Sequence, residues 1–340
     1  MRLLVLGGTE FVGRAVVEAA LGRDWEVTVF NRGRHEAPPG ARALHGDRTA
    51  PDGLAALEEG GEWDVVVDTW SSAPRAVRDA AQLLRDRVAR YVYVSSCSVY
   101  DWAPPAGYTE DAALVTGASP DAGQTAYAQD KRGAELAVLD AFGPDRSALV
   151  RAGLIIGPYE NVGRLPWWLN RMARGGPVLA PGPRELPIQY VDVRDLAQWI
   201  LGAAEQKLSG PYNLIGPSGH ATMGTLLDAC AAVTGGRAEL RWTEPELILE
   251  AGIEPWIQLP VWVPPGSDLH DALHSADVSR AVATGLRCRP VEETVADTWS
   301  WLQGLGGTAP QRLDRSTKGL DPEVEAKVLA SAGGAPGATP

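Results

Sequence analysis

The residues that follow the first apolar run leave this chain few folds to choose from. Leu3-Leu4-Val5-Leu6 ends directly in Gly7-Gly8-Thr9-Glu10-Phe11-Val12-Gly13, and from Val12 to Leu21 the apolar residues recur at helical spacing. A strand that turns through glycines into a helix opens a βαβ unit, and the alternation continues downstream. Glu26 to Phe30 and Trp63 to Asp68 read as strands, and Pro74 opens a helix to about Arg87. Tyr91 to Val94 is strongly β-prone, Gln124 to Phe142 reads as a long helix, and Ser147 to Val150 as the next strand. This order predicts an α/β fold of the Rossmann type, with a doubly wound parallel sheet.

Beyond about residue 155 the rhythm loosens. Pro, Gly and Trp become frequent, and short helices near 164–174, 192–206 and 222–234 are separated by turns. Three stretches follow: an NAD(P)-binding domain over 1–155, a smaller substrate-binding region interleaved with it over 156–305, and a C-terminal piece over 306–340. The last of these is Gly-, Ala- and Pro-rich, with one helix expected from Pro322 to Ala330 and a disordered final ten residues.

Charge and cysteine content remove several function classes. The 43 acidic residues outnumber the 31 basic ones, for a net charge of −12, and no basic stripe stands out against that balance. Nucleic-acid binding is disfavoured. No apolar run reaches a membrane-spanning length, and no leader pattern precedes the first strand, so a cytoplasmic protein acting on a small molecule is expected. Cys97, Cys230 and Cys288 are scattered, without a CxxC, and suggest neither a disulfide framework nor zinc. His270 and His274 have a spacing that could chelate a metal, but no further ligands surround them; they read as loop histidines, and no metal is expected.

The glycine turn sits where a dinucleotide pyrophosphate would rest, on the positive end of a helix that the backbone can approach closely. Gly7, Thr9, Glu10, Phe11, Val12 and Gly13 are the candidate cofactor residues there. At the end of the second strand stand Asn31-Arg32-Gly33-Arg34. An acid is usual at that end for NAD; Asn31 with Arg32 and Arg34 suits a ribose 2′-phosphate instead, which favours NADP(H) over NAD(H). Glu10 pulls the other way.

Tyr127-Ala128-Gln129-Asp130-Lys131 places a phenol and an ammonium on one face of a helix. An adjacent cation favours the phenolate, as acid–base chemistry requires. With 8 Tyr in the chain and Lys only at 131, 207, 318 and 327, about 0.1 such pairs are expected by chance.

These motifs resemble the extended short-chain dehydrogenase/reductase family, and in particular its NAD(P)-dependent epimerase/dehydratase-like members that open with a GGTxFxG turn. Of the family's GxxGxxG, the chain keeps Gly7 and Gly13 and carries Glu10 in the middle. The resemblance implies that Tyr127 exchanges a proton, that Lys131 tunes it and binds the nicotinamide ribose, and that Ser96, in Ser96-Cys97-Ser98-Val99-Tyr100, holds the substrate oxygen. It also implies an adenine contact at Asp47, in Gly46-Asp47-Arg48. Ser95 is expected to satisfy backbone at the strand end, and Cys97 to pack. Asp68-Thr69-Trp70 falls near the path of the nicotinamide.

Departures from the family narrow the chemistry. Sugar-nucleotide dehydratases carry Asp-Glu where this chain has Cys97-Ser98, and Leu154-Ile155 replace an Asn that commonly holds a diphosphate. Tyr190-Val191-Asp192-Val193-Arg194-Asp195 reads as structural. Trp102, Trp167-Trp168, Trp256 and Trp262 suggest an apolar or aromatic substrate, with Trp102 and Trp167 the candidate contacts. The expectation is an NADP(H)-dependent carbonyl or alcohol reductase. An epimerase with tightly held NAD(P) is the alternative, and a non-catalytic cofactor-sensing or RNA-binding relative lies further off. Relatives often dimerise through the helix carrying Tyr127, so the resemblance implies a homodimer.

Overall fold

Leu3, Leu4, Val5 and Leu6 are buried on both faces because they lie in the middle of a seven-stranded sheet. The structure, a computed structural model, describes residues 1–312 and 314–333. The chain forms two units. One comprises Met1–Ile155, Val191–Gly216 and Ala276–Cys288; the other comprises Ile156–Tyr190, Pro217–Ser275 and the chain from Arg289 onward.

The first unit runs β1 (Arg2–Leu6), α1 (Phe11–Leu21), β2 (Glu26–Asn31), β3 (Arg42–His45), α2 (Ala55–Glu58) and β4 (Trp63–Asp68). It continues with α3 (Pro74–Leu84), β5 (Val88–Ser96), α4 (Tyr127–Phe142) and β6 (Ser147–Ala152), then helix Val193–Glu205 and strand Gly210–Leu214. The sheet order is strand Gly210–Leu214, β6, β5, β4, β1, β2, β3. Every neighbour pair is parallel. The order reverses between β1 and β4, and in such sheets ligands bind at the carboxyl ends of the strands flanking the reversal.

Alternate residues of each strand feed opposite layers. Leu3 and Val5 join Val27, Val29, Val65 and Val67 against α1 and helix Val193–Glu205. Leu4 and Leu6 join Phe30, Val66, Tyr91 and Tyr93 against α3 and α4. Burial on both faces is why these strands read as continuous apolar runs.

Strand β4 matches its sequence limits. Helix α4 begins at Tyr127 instead of Gln124, because Asp130 reaches back and accepts from the Thr125 amide and hydroxyl at 2.9 and 2.6 Å. Those bonds hold the preceding residues extended, and Ala126 has ψ 143°. Helix α3 ends at Leu84, where a turn closed by the Arg87 amide on the Leu84 carbonyl leads into β5. Asp192 caps helix Val193–Glu205 by accepting from the Arg194 amide at 2.8 Å, a structural role for that segment.

The second unit is built on helices Arg164–Arg174, Met223–Val233 and Val291–Gly304, and on strand Gly176–Pro181 paired in parallel with Ala238–Thr243. Trp168 and Trp262 are fully buried core rings, not pocket lining; their indole N–H groups donate to Pro260 and Gly182 carbonyls at 2.8 and 3.1 Å. The C-terminal helix runs Pro322–Gly333, three residues past its expected end at Ala330 and into the stretch expected to be disordered. The rest of that stretch, 334–340, lies outside the described residues. Glu325 pins the helix through Arg171 at 2.7 Å and the Leu179 amide at 3.1 Å. Among the described residues no helix is long and apolar enough to cross a membrane.

His270 and His274 sit on a helix, Asp268–His274, and not on a loop, because Ser267 caps it by accepting from the His270 amide. His274 is wedged between the Gln189 amide, which donates to Nδ1 at 3.0 Å, and the Val261 carbonyl, 3.1 Å from Nε2. One acceptor and one donor describe a neutral ring. Burial, with His270 beside it, lowers its pKa from 6.5 to about 4. Between those values the unfolded chain takes up a proton that the folded one refuses, so stability is full above pH 6.5 and falls as pH drops towards 4. The difference amounts to about 3 kcal/mol. His274→Asn should flatten the fall in thermal midpoint between pH 7 and pH 4.5; an unchanged slope would assign it to other groups.

Candidate active site

The turn after β1 is shaped by what a side chain would strike. Gly7 and Gly8 have φ of +118° and +89°. A Cβ on Gly13 would lie 2.6 Å from the Gly8 amide nitrogen, so the start of α1 can meet the turn only through a glycine. Glu10 is different: its φ is −132°, which any residue adopts, so the missing middle glycine costs the turn nothing. Glu10 stands at the capping position yet makes no cap bond, and its carboxylate meets His35 Nε2 at 3.0 Å. The first-turn amides of α1 therefore have no side-chain cap, which is the arrangement that receives a pyrophosphate. Phe11 and Val12 pack their side chains on the core and can offer a ligand only backbone; Thr9 precedes them in the turn. The cradle fits a dinucleotide.

At the end of β2, Asn31 Oδ1 accepts from the Gly33 amide at 2.6 Å and folds the Arg32–Arg34 loop. Arg32 and Arg34 are exposed. The Asp47 carboxyl is lowered first by Thr49, whose hydroxyl and amide donate to it at 2.7 and 3.0 Å, and then by the fields of Arg32 and Arg34. The structure thus gathers Asn31, Arg32, Arg34 and Asp47 at one edge of the sheet.

The other cluster lies at the carboxyl ends of β4 and β5. Lys131, only 3% exposed, donates to the carbonyls of Trp70 and Val94, both at 2.6 Å, and stands 4.8 Å from the Tyr93 ring centroid. Tyr127 is one turn earlier on α4, half-buried. Ser96 closes β5; its hydroxyl accepts from the Ser98 amide at 3.1 Å and lies 3.1 Å from the Ser98 hydroxyl. Burial pushes the Cys97 thiol up to about 12, so it packs as a neutral group.

Two buried ion pairs beneath this cluster are absent from the sequence reading. Arg48 grips Asp68 with two bonds of 2.7 Å. Burial alone would raise the Asp68 carboxyl, but Arg48, Tyr91 and the Trp70 amide together hold it below its ordinary value. The other pair is Glu135 with Arg151, 3.1 Å apart and both nearly inaccessible. Ser95 donates to Glu135 at 2.7 Å, so it serves this pair and not the backbone. The available signal was a carboxylate at the end of an otherwise apolar strand, which must find a partner.

The two candidate substrate tryptophans differ. Trp102, in the loop after β5, is 64% exposed. Trp167, in the second unit, leans edge-on against Trp168 and is covered by the backbone at Gly319, where a Cβ would lie 2.0 Å from its indole nitrogen.

Residues 3–216 match the NAD dependent epimerase/dehydratase family. The chain belongs to that family. It is 24% identical over 263 residues to the chloroplast stem-loop binding protein of 41 kDa b of Arabidopsis thaliana, covering 73% of this chain and 65% of that one. It is 33% identical over 189 residues to 2'-dehydrokanamycin reductase of Streptomyces kanamyceticus, covering 53% and 51% respectively. The chain thus spans less than two thirds of either relative's length. The fold is shared with the Bordetella bronchiseptica enzyme WbmH in complex with NAD+, at TM-score 0.65 and 18% identity over 90% of this chain and 99% of that one.

Gly13→Ala should weaken nicotinamide-dinucleotide binding at least tenfold, read by tryptophan fluorescence, because the turn must open to admit the methyl. Glu10→Ala should leave the melting temperature unchanged. Equal melting losses in both would contradict this account of the turn.

Proposed function

We propose that this member of the family is an NADP(H)-dependent oxidoreductase that interconverts a small carbonyl compound and its alcohol. The observation that carries the reading is the buried Lys131 ammonium at the ends of β4 and β5, one helical turn from Tyr127 and beside the strand that ends in Ser96. The reductase among the relatives supports reduction over epimerisation. The net charge of −12 opposes an RNA-binding role of the kind another relative's name describes.

When bound, NADP(H) supplies or accepts the hydride. Tyr127 gives its proton to the substrate oxygen as the carbonyl is reduced and takes it back in the reverse direction. Ser96 turns its hydroxyl to the same oxygen and steadies the charge that gathers there. Lys131, fixed by two carbonyls, offsets the negative charge left on Tyr127. Arg32 and Arg34 are the groups offered to a 2′-phosphate, and the contact with His35 Nε2 turns the Glu10 carboxylate to another partner. Trp102 is the aromatic surface offered to substrate.

Tyr127→Phe should lower NADPH turnover by about 10²- to 10⁴-fold while NADPH still binds. Activity that survives in Tyr127→Phe would remove it from the chemistry. In paired titrations NADPH should bind at least tenfold tighter than NADH, and Arg32→Ala should erase most of that difference. Equal affinities in the wild-type chain would reverse the cofactor assignment.

A further inference from the structure

We propose that Arg48 is a positioning residue for Lys131, acting through Asp68 and the peptide of Trp70. The idea rests on the reading of Lys131 above. The path is continuous. Arg48 holds Asp68 by two bonds of 2.7 Å, donates to the Ala76 carbonyl at 2.9 Å, and lies 5.2 Å from the Trp70 ring centroid. Asp68, so held, accepts the Trp70 amide at 2.9 Å on Oδ1 and the Tyr91 hydroxyl at 2.5 Å on Oδ2. The Trp70 carbonyl then accepts from Tyr93 at 3.0 Å and from Lys131 at 2.6 Å.

The two carbonyls that hold Lys131 are not secured in the same way. Val94 lies inside β5 and is paired with Val150 of β6, so the sheet fixes it. Trp70 lies two residues past the end of β4, outside any strand. Its amide is tied to the fold by the Asp68 carboxylate and its ring by Arg48 and by a 3.0 Å bond from its indole to the Ala73 carbonyl. An arginine suits the task because its planar fork engages both carboxylate oxygens while its face lies against an aromatic ring. A buried ion pair is weak evidence for stability. Here it stands one peptide away from the group that positions the cation.

The chain's four lysines make the test readable. With ¹⁵N-lysine labelling, the Lys131 Nζ signal is assigned by its loss in Lys131→Met. In Arg48→Gln that signal should move while those of Lys207, Lys318 and Lys327 stay in place. NADPH turnover should show kcat down about tenfold with KM within twofold, as misplacement and not lost binding predicts. Asp68→Asn, which keeps the shape of the side chain, should move the same signal and carries the test if Arg48→Gln does not fold. Arg171→Gln breaks a different buried pair, with Glu325, and should lower the melting temperature without moving Lys131. A Lys131 signal unmoved in Arg48→Gln and Asp68→Asn, or moved equally by Arg171→Gln, overturns the proposal. If the signal moves as stated but Tyr127→Phe retains full turnover, the catalytic reading fails and the positioning of Lys131 by Arg48 stands.

Discussion

A buried ammonium that satisfies itself on two backbone carbonyls is the interaction around which the first unit is arranged. Lys131 has lost nearly all contact with water, so its charge needs close acceptors, and the carbonyls of Trp70 and Val94 supply them at 2.6 Å. Val94 lies two residues before the end of β5 and Trp70 two residues past the end of β4, and the parallel register of the two strands brings both carbonyls to the ammonium. Asp68 pairs with Tyr93 in that register, one residue before Val94. The cation therefore reports the sheet's geometry directly to the first turn of α4, where Tyr127 stands.

The same sheet sets the distance from this cluster to the glycine turn. Strands β1 and β4 are adjacent, and their register pairs Leu6 with Asp68. The turn at Gly7 and Gly8 thus begins at the level where the Arg48–Asp68 pair is buried. Thr69 shows the closeness: its hydroxyl donates to the Leu6 carbonyl at 3.1 Å, and a Cβ on Gly7 would come within 2.5 Å of it. Glycine at position 7 is required by this neighbour as well as by its positive φ.

The parts of the site legible in the sequence are those that local chemistry decides. A glycine turn between an apolar strand and a helix, a phenol and an ammonium four residues apart, and a β-prone run ending in serines are each written within a dozen residues. Partners that meet across the sheet are not. Arg48 and Asp68 are 20 residues apart, and Glu135 and Arg151 are 16 apart. Only the packed sheet brings them together. Helix α4 starts later than its pattern predicts because the bonds that Thr125 donates to the Asp130 carboxylate outweigh helix propensity. Aromatic rings in the looser second half of the sequence suggest a pocket, yet burial makes Trp168 and Trp262 core. The histidine segment reads as a loop in the sequence, and a serine cap makes it a helix.

Net hydride transfer at the Tyr127–Lys131 face of α4 is the proposal to test. The direct measurement uses NADPH deuterated at the nicotinamide C4 position, incubated with a panel of small ketones and aldehydes and followed by mass spectrometry and absorbance. Stoichiometric NADPH oxidation is expected, with one deuterium on the carbinol carbon of the product, and label transfer slowed about 10²- to 10⁴-fold when Tyr127→Phe replaces the wild-type chain. A wild-type chain that binds NADPH but transfers no label, or that exchanges label with a sugar substrate without net oxidation, would contradict it.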